Sequence, residues 1–193
     1  MTKDLSGKVY VVTGANSGIG FSAVSNFASR GARVVMVCRN IDLGLEALDK
    51  IRNKTNNTGL ELFIADFSSL ASVSMVAKEI LEKYPRIDVL CNNAGGANGA
   101  RRITAEGFET TFVVNHLAGF LLTQKLLPAL ERAAEIHSAR VVFTSSYGHA
   151  NSPLDFDDLN IEHGYTTLKA YGRSKLMNLL TARELQQRFG DKN

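Results

Sequence analysis

Short apolar runs rich in β-branched residues alternate along the chain with stretches of helical periodicity. This alternation is typical of βαβ units, in which helices cover both faces of a parallel sheet. The sequence predicts strands at Lys8–Thr13, Arg33–Cys38, Leu60–Ala65, Ile87–Asn92 and Arg140–Thr144. It predicts helices at about Ile19–Ser29, Leu43–Lys54, Leu70–Lys83, Phe108–Ala134 and Thr167–Phe189. We therefore expect an α/β fold, a doubly wound parallel sheet in three αβα layers.

Composition narrows the class of protein. The 193 residues, 45% apolar and 21% charged, predict a single domain spanning residues 1–193. The net charge is +3 and the basic residues are scattered, which argues against binding to nucleic acid. No apolar stretch approaches the ~20 residues of a membrane span, and we see no secretory signal. Cys38 and Cys91 are therefore expected to be buried free thiols in a reducing, cytoplasmic compartment.

A glycine-rich turn follows the first predicted strand and opens the first helix. Glycines let the backbone approach a diphosphate, whose charge is met by the amides and dipole of the helix N-terminus. The turn predicts a dinucleotide cofactor bound by Gly14, Asn16, Ser17, Gly18, Ile19 and Gly20. The alternative is a tight strand-to-helix connection that binds nothing.

Arg39 indicates which dinucleotide is bound. An acidic residue near the end of the second strand would accept a hydrogen bond from a free ribose 2′-hydroxyl, but Cys38 and Arg39 stand there. Because a guanidinium can meet a 2′-phosphate, the sequence favours NADP(H) over NAD(H). The alternative is an ordinary solvated loop charge.

Tyr171 and Lys175 are four residues apart in the last predicted helix and so share one helical face. A tyrosine with an ordinary pKa of ~10 transfers protons poorly near neutrality, but an adjacent cation stabilises its phenolate. Ser145 and Ser146 follow the fifth strand, where a hydroxyl could hold a substrate oxygen.

The four histidines lack the spacing of metal ligands, so no metal is predicted.

Together these motifs resemble the short-chain dehydrogenase/reductase family, whose fold is of the Rossmann type. The matching segments are Thr13–Gly20, Asn92–Gly95, Asn115, Ser146 and Tyr171–Lys175. The resemblance implies a nicotinamide-dependent oxidoreductase in which Tyr171 is the general acid/base and Lys175 lowers its pKa and binds the nicotinamide ribose. It implies that Ser146 orients the carbonyl or hydroxyl and that Asn115 anchors a water.

The same resemblance implies further cofactor contacts. It places Asp66 and Phe67 at the adenine and Asn93, Ala94 and Gly95 beside the cofactor. Ser146 and Tyr171 are 25 residues apart, and the segment between them includes an insertion similar to that of the retinol dehydrogenase-like branch. That branch implies a lipophilic alcohol or aldehyde substrate, although related branches act on varied carbonyls, steroids or xenobiotics. The long irregular segment Tyr147–Tyr165 is expected to be functional or mobile.

The chain departs from the family pattern at its C-terminus. Only 18 residues follow Lys175, so we expect the C-terminal strands usual in the family to be lacking and the sheet to end at an unpaired edge. A fragment or splice product of a longer enzyme is favoured over a natural short variant, because Gly190–Asn193 ends in a loop.

The resemblance also implies a homodimer or homotetramer formed through the last two predicted helices. The alternative function is a truncated, non-catalytic cofactor-binding or dimerising regulatory module.

Overall fold

Five parallel strands form one sheet in the computed structural model, which describes residues 4–190. The strands are β1 (Val9–Thr13), β2 (Arg33–Cys38), β3 (Leu60–Ile64), β4 (Val89–Asn92) and β5 (Arg140–Phe143). Their order is β3-β2-β1-β4-β5, so the direction of winding reverses between β1 and β4. Open α/β sheets bind ligands at such a switch point, outside the carboxyl ends of the strands. The prediction of a doubly wound parallel sheet is confirmed.

Helices connect and cover the strands. They are α1 (Gly18–Ser29), α2 (Ile41–Thr55), α3 (Leu70–Lys83), α4 (Thr110–Phe112), a π-helical turn (Val113–Leu117), α5 (Ala118–Ala134), a 3-10 turn (Tyr147–Asn151) and α6 (Thr167–Phe189). No helix within residues 4–190 is both long enough and apolar enough to cross a membrane. The last three residues of the predicted terminal loop, 191–193, lie outside the described residues.

Side chains of β2 show how both faces of the sheet are covered. Val35 and Val37 join a buried cluster with apolar residues of α3 and α5. Val34 and Met36 point the other way, into a cluster with residues of α1 and α2. A strand that is buried on both faces has a continuous apolar sequence, and for this reason β2 could be predicted from the sequence. These two clusters hold the strand ends, and hence the loops that follow them, in fixed positions.

The helix predicted at Phe108–Ala134 is different in the structure. It begins at Thr110, because the buried carboxylate of Glu109 accepts the backbone N–H groups of Thr111 and Phe112 and so caps the helix there. Its hydrogen-bond ladder then widens into the π turn before α5 begins. Such π turns are rare and are frequently found at functional sites.

The face of α6 that packs against the protein is largely polar, and two of its leucines are exposed. Leu179 and Leu180 are 43% and 44% exposed, whereas Ser174, Lys175 and Asn178 are at most 3% exposed. The helix thus turns its polar residues toward the carboxyl end of the sheet, where their hydrogen-bonding groups find partners. This orientation places the end of β5 and the π turn next to the Tyr171–Lys175 segment.

Candidate active site

A cavity of about 940 Å³ lies over the carboxyl ends of the strands. Every residue that the sequence assigned to the site lines it except Gly20 and Ser146. The lining residues from that set are Gly14, Asn16, Ser17, Gly18, Ile19, Arg39, Asp66, Phe67, Asn93, Ala94, Gly95, Asn115, Tyr171 and Lys175. The parallel topology explains this convergence, because it brings the loops after four different strands to one edge.

The glycine turn is tight enough to require its glycines. Gly14 and Gly18 have φ values of +63° and +53°, which residues with a Cβ rarely adopt. A Cβ on Gly20 would lie 2.1 Å from the carbonyl oxygen of Gly14. Gly20 therefore packs behind the turn and shapes it, which explains why it does not line the cavity.

The N-terminus of α1 is open toward the cavity. Its N-cap residue, Ser17, makes no side-chain capping hydrogen bond, and the first turn contains no acidic residue. In contrast, Asn40, Ser69 and Thr166 cap α2, α3 and α6 with their side chains. Backbone N–H groups at a helix start attract anions when no side chain satisfies them. The turn therefore has the geometry and the charge to receive a diphosphate.

Lys175 is buried beside the Tyr171 ring. Its ammonium lies 5.4 Å from the ring centroid and donates a hydrogen bond to the carbonyl oxygen of Thr144 at 3.0 Å. Burial lowers the pKa of Lys175 below its ordinary value. A Cβ on Gly95 would lie 3.3 Å from this ammonium, so the absence of a side chain there leaves room for it. Tyr171 and Lys175 therefore act as neighbours, as their spacing predicted.

Asn115 lies in the π turn and joins three segments. Its Oδ1 accepts the N–H of Gly96 at 2.8 Å, and its Nδ2 donates to the carbonyl oxygen of Gly96 and to Ser174 Oγ. The reciprocal pair with Gly96 fixes the loop after β4 against the π turn, and the bond to Ser174 ties the π turn to α6. Asn115 is 5% exposed and lines the cavity, and a Cβ on Gly95 would lie 3.0 Å from its Oδ1 and 3.3 Å from the Lys175 ammonium.

The two serines after β5 have different surroundings. Ser145 Oγ donates to the backbone carbonyl of Lys175 at 2.8 Å, so it holds α6 in place. Ser146 Oγ accepts the N–H of Gly148 at the start of the 3-10 turn. A Cβ on Gly148 would lie 3.7 Å from both Ser146 Oγ and the Tyr171 ring, which places Ser146 on the Tyr171 side of the site. No cluster of three or more potential metal ligands occurs within residues 4–190.

Comparison with known proteins supplies the family. The short chain dehydrogenase family model matches residues 8–155. This chain belongs to the short chain dehydrogenase family. Retinol dehydrogenase 12 from Mus musculus is 42% identical over 185 residues, which cover 96% of this chain and 58% of that protein. A candidate daunorubicin C-13 ketoreductase, DnrU, from Streptomyces sp. is 41% identical over 191 residues, with 97% of this chain and 63% of that protein covered.

Solved structures share the fold of this chain. An uncharacterized protein from Mycobacterium paratuberculosis has a TM-score of 0.86 and 35% identity, over 98% of this chain and 65% of that one. The Pseudomonas aeruginosa RhlG/NADP active-site complex has a TM-score of 0.79 and 27% identity, over 98% and 70% of the two chains. The chain spans about three fifths of the length of the curated relatives that it matches.

Two buried residues beside the candidate site, Thr13 and Asn178, were given no role by the sequence analysis. Thr13 is fully buried, and its Oγ1 accepts the N–H groups of Asn93 and Ala94, so it ties the loop after β4 to the glycine turn. Asn178 is 1% exposed and contacts the backbone of Thr144. Asn178 lies three residues after Lys175 and so on the same helical face, and this spacing could have predicted that it lies beside the lysine.

Proposed function

We propose that the chain is an NADP(H)-dependent oxidoreductase that interconverts an alcohol and an aldehyde or ketone. The observation that carries this proposal is the Tyr171 ring in the cavity, with the buried Lys175 ammonium 5.4 Å from its centroid. The phenol can donate or accept the proton at the substrate oxygen, and the cation beside it stabilises the phenolate. Ser146 would orient that oxygen and Asn115 would anchor a water for proton relay.

The cofactor is proposed to bind along the loops that follow β1 to β4. The open N-terminus of α1 and the Gly14–Gly18 turn would hold its diphosphate. Asp66 and Phe67 would contact the adenine, and Asn93, Ala94, Gly95 and Lys175 the nicotinamide half. When bound, the nicotinamide supplies or accepts a hydride. One cavity thus contains a turn that can hold a diphosphate and a phenol that can donate a proton, as transfer of a hydride and a proton requires.

Arg39 is proposed to select NADP(H). The side chain is exposed at the cavity rim, and the structural relative RhlG is described as an NADP complex. A bidentate guanidinium contact favours a phosphate over a hydroxyl. We expect Arg39→Asp to reverse the ratio of NADPH to NADH affinities, measured by nicotinamide fluorescence titration. An unchanged ratio would remove Arg39 from this role.

A lipophilic substrate is proposed because the two relatives are named for retinol and for the C-13 keto group of daunorubicin. Exposed apolar side chains stand near the reacting groups: Tyr147, 86% exposed, directly follows Ser146, and Leu168, 81% exposed, precedes Tyr171 by one helical turn. Activity on a panel of short-chain and long-chain aldehydes and ketones tests this. Higher kcat/KM for the long-chain members is expected.

The decisive experiment combines binding with turnover. Purified 1–193 protein is titrated with NADPH and then assayed on the carbonyl panel. We expect Tyr171→Phe to reduce kcat by more than about 100-fold, because general acid/base catalysis contributes on that order, while the affinity for NADPH is unchanged. Binding without turnover in the parent protein would instead support the regulatory-module alternative. Full activity in Tyr171→Phe would refute the catalytic role.

The remaining proposals concern assembly and location. We propose that the chain forms one domain and that this domain associates into a homodimer or homotetramer. The exposed apolar residues Phe120, Leu179 and Leu180 on α5 and α6 support the association. Leu180→Glu is expected to reduce the mass measured by light scattering. A cytoplasmic location is supported by Cys38 and Cys91, which are both free thiols.

A further inference from the structure

Asn178 joins three elements at the bottom of the candidate site. Its Nδ2 donates to the carbonyl oxygen of Asn115 at 3.0 Å and to that of Thr144 at 3.2 Å. The Thr144 oxygen also accepts the Lys175 ammonium at 3.0 Å. One buried amide thus holds both the backbone of the π turn and the oxygen that anchors the lysine. Tyr171, Lys175 and Asn178 recur on α6 at spacings of four and three, so they share one face.

His116 determines how this amide is oriented. Its Nδ1 lies 3.0 Å from Asn178 Oδ1. Because both amide hydrogens of Asn178 point at carbonyl oxygens, Oδ1 can only accept, and His116 Nδ1 must carry the proton. A flipped amide would place Oδ1 against two other oxygens. Burial lowers the pKa of His116, which favours the neutral ring. The ring is stacked on Phe112, with centroids 5.9 Å apart.

We propose that His116 and Asn178 are positioning residues for proton transfer, an inference that rests on the proposed function of Tyr171 and Lys175. The His116 Nδ1–H orients the Asn178 amide, and the amide fixes Thr144 O and Asn115 O. Thr144 O holds the Lys175 ammonium in place. Asn115 O belongs to the π turn, so fixing this oxygen also fixes the Asn115 side chain. Neither positioning residue touches the substrate.

Three variants separate the hydrogen bond from packing. Asn178→Leu removes both donors at similar volume. His116→Phe keeps a ring against Phe112 but removes the Nδ1–H, whereas His116→Asn loses the ring and restores a donor at the Nδ1 position. We expect Asn178→Leu and His116→Phe to lower kcat about 10- to 100-fold, the usual cost of a small misplacement of catalytic groups. His116→Asn should retain kcat within about threefold of the parent value.

Two measurements test the inference without turnover. Nitrogen-15 NMR of histidine-labelled protein should show His116 protonated on Nδ1. The rate of reductive methylation of Lys175, 3% exposed, is compared by mass spectrometry with that of Lys78, whose side chain is 79% exposed. Asn178→Leu should raise the ratio about fivefold, the factor that one lost hydrogen bond supplies. His116→Phe should raise it likewise, and His116→Asn should not.

The outcomes distinguish the two proposals. An inactive parent protein with protonated Nδ1 and the expected methylation ratios would refute the proposed function and leave the lysine-positioning contact established. A proton on Nε2, or equal losses in His116→Asn and His116→Phe, would overturn the positioning role. Unchanged kcat in Asn178→Leu, in an active parent, would overturn it as well.

Discussion

Asp88 is a buried carboxylate outside the candidate site, at the start of β4. It accepts hydrogen bonds from the Val9 N–H at 2.8 Å and from His137 Nε2 at 2.7 Å, and it pairs with Lys8 at 3.1 Å. Burial acts to raise the pKa of Asp88, but the hydrogen bond from Val9, with Lys8 and His137, outweighs it and holds the pKa below its usual value. Such a group stabilises the fold above its unfolded-state pKa of about 3.9 and loses that contribution as the pH falls through its folded-state pKa.

We expect Asp88→Asn to lower the free energy of unfolding by about 1–3 kcal/mol near neutral pH, because buried partners lose a charged acceptor. The difference from the parent protein should shrink as the pH falls below about 4. Urea unfolding at several pH values measures this. Glu46→Gln is the control, since Glu46 is exposed on α2 and its loss should change little. A deficit that stays constant down to the acid transition would show that packing, and not charge, is responsible.

Among the elements, α6 depends on a close approach to the 3-10 turn. A Cβ on Gly172 would lie 1.9 Å from Ser152 Oγ and 2.6 Å from the backbone oxygen of Gly148. Gly172→Ala should therefore destabilise the fold by about 1–3 kcal/mol, despite the better helix propensity of alanine. Turnover should fall too, because Tyr171 is adjacent. Denaturant unfolding and kcat measure both effects. Gly99→Ala, where a Cβ meets open space, should be neutral, and equal effects of the two substitutions would contradict the packing argument.

The irregular segment before α6 is fastened by Arg173. This guanidinium is 6% exposed and donates from Nε to the carbonyl oxygen of Pro153 and from Nη1 to that of Asp158, both at 2.9 Å. We expect Arg173→Gln to speed proteolytic cleavage between residues 153 and 158 about fivefold or more, as lost buried hydrogen bonds allow local opening. Arg188→Gln, which removes an exposed pair near the end of α6, should leave the cleavage rate unchanged. Equal rates in Arg173→Gln and the parent would show that other contacts hold the segment.

At the scale of the whole molecule, the sheet and most of the site were predictable because both depend on local patterns. Apolar runs mark the strands, and the parallel topology brings residues as distant in sequence as Gly14 and Tyr171 to one cavity. The π turn was not predictable, since it changes the hydrogen-bond register without changing the apolar spacing around Asn115. Nor was the burial of Asn178, because it depends on how α6 packs against Thr144.

The sheet is open along β5. Within residues 4–190, β5 pairs with β4 alone, and Val142 is 47% exposed on it. A groove of about 740 Å³ runs beside the strand, with Leu127 of α5 and Leu185 of α6 in its walls. An unpaired edge with apolar neighbours is a template for pairing with another strand.

We therefore expect self-association that rises with concentration and that Val142→Lys suppresses, because a charged side chain on an edge strand opposes pairing. Sedimentation velocity over a range of concentrations measures it. Met75→Lys is the matched control, since Met75 is 64% exposed on α3 and adds the same charge away from β5. Affinity for NADPH should be unchanged in Val142→Lys, because Val142 does not line the cavity. Equal suppression by both lysine variants would assign the effect to net charge, and suppression by Leu180→Glu alone would assign it to the helical surface instead of the edge.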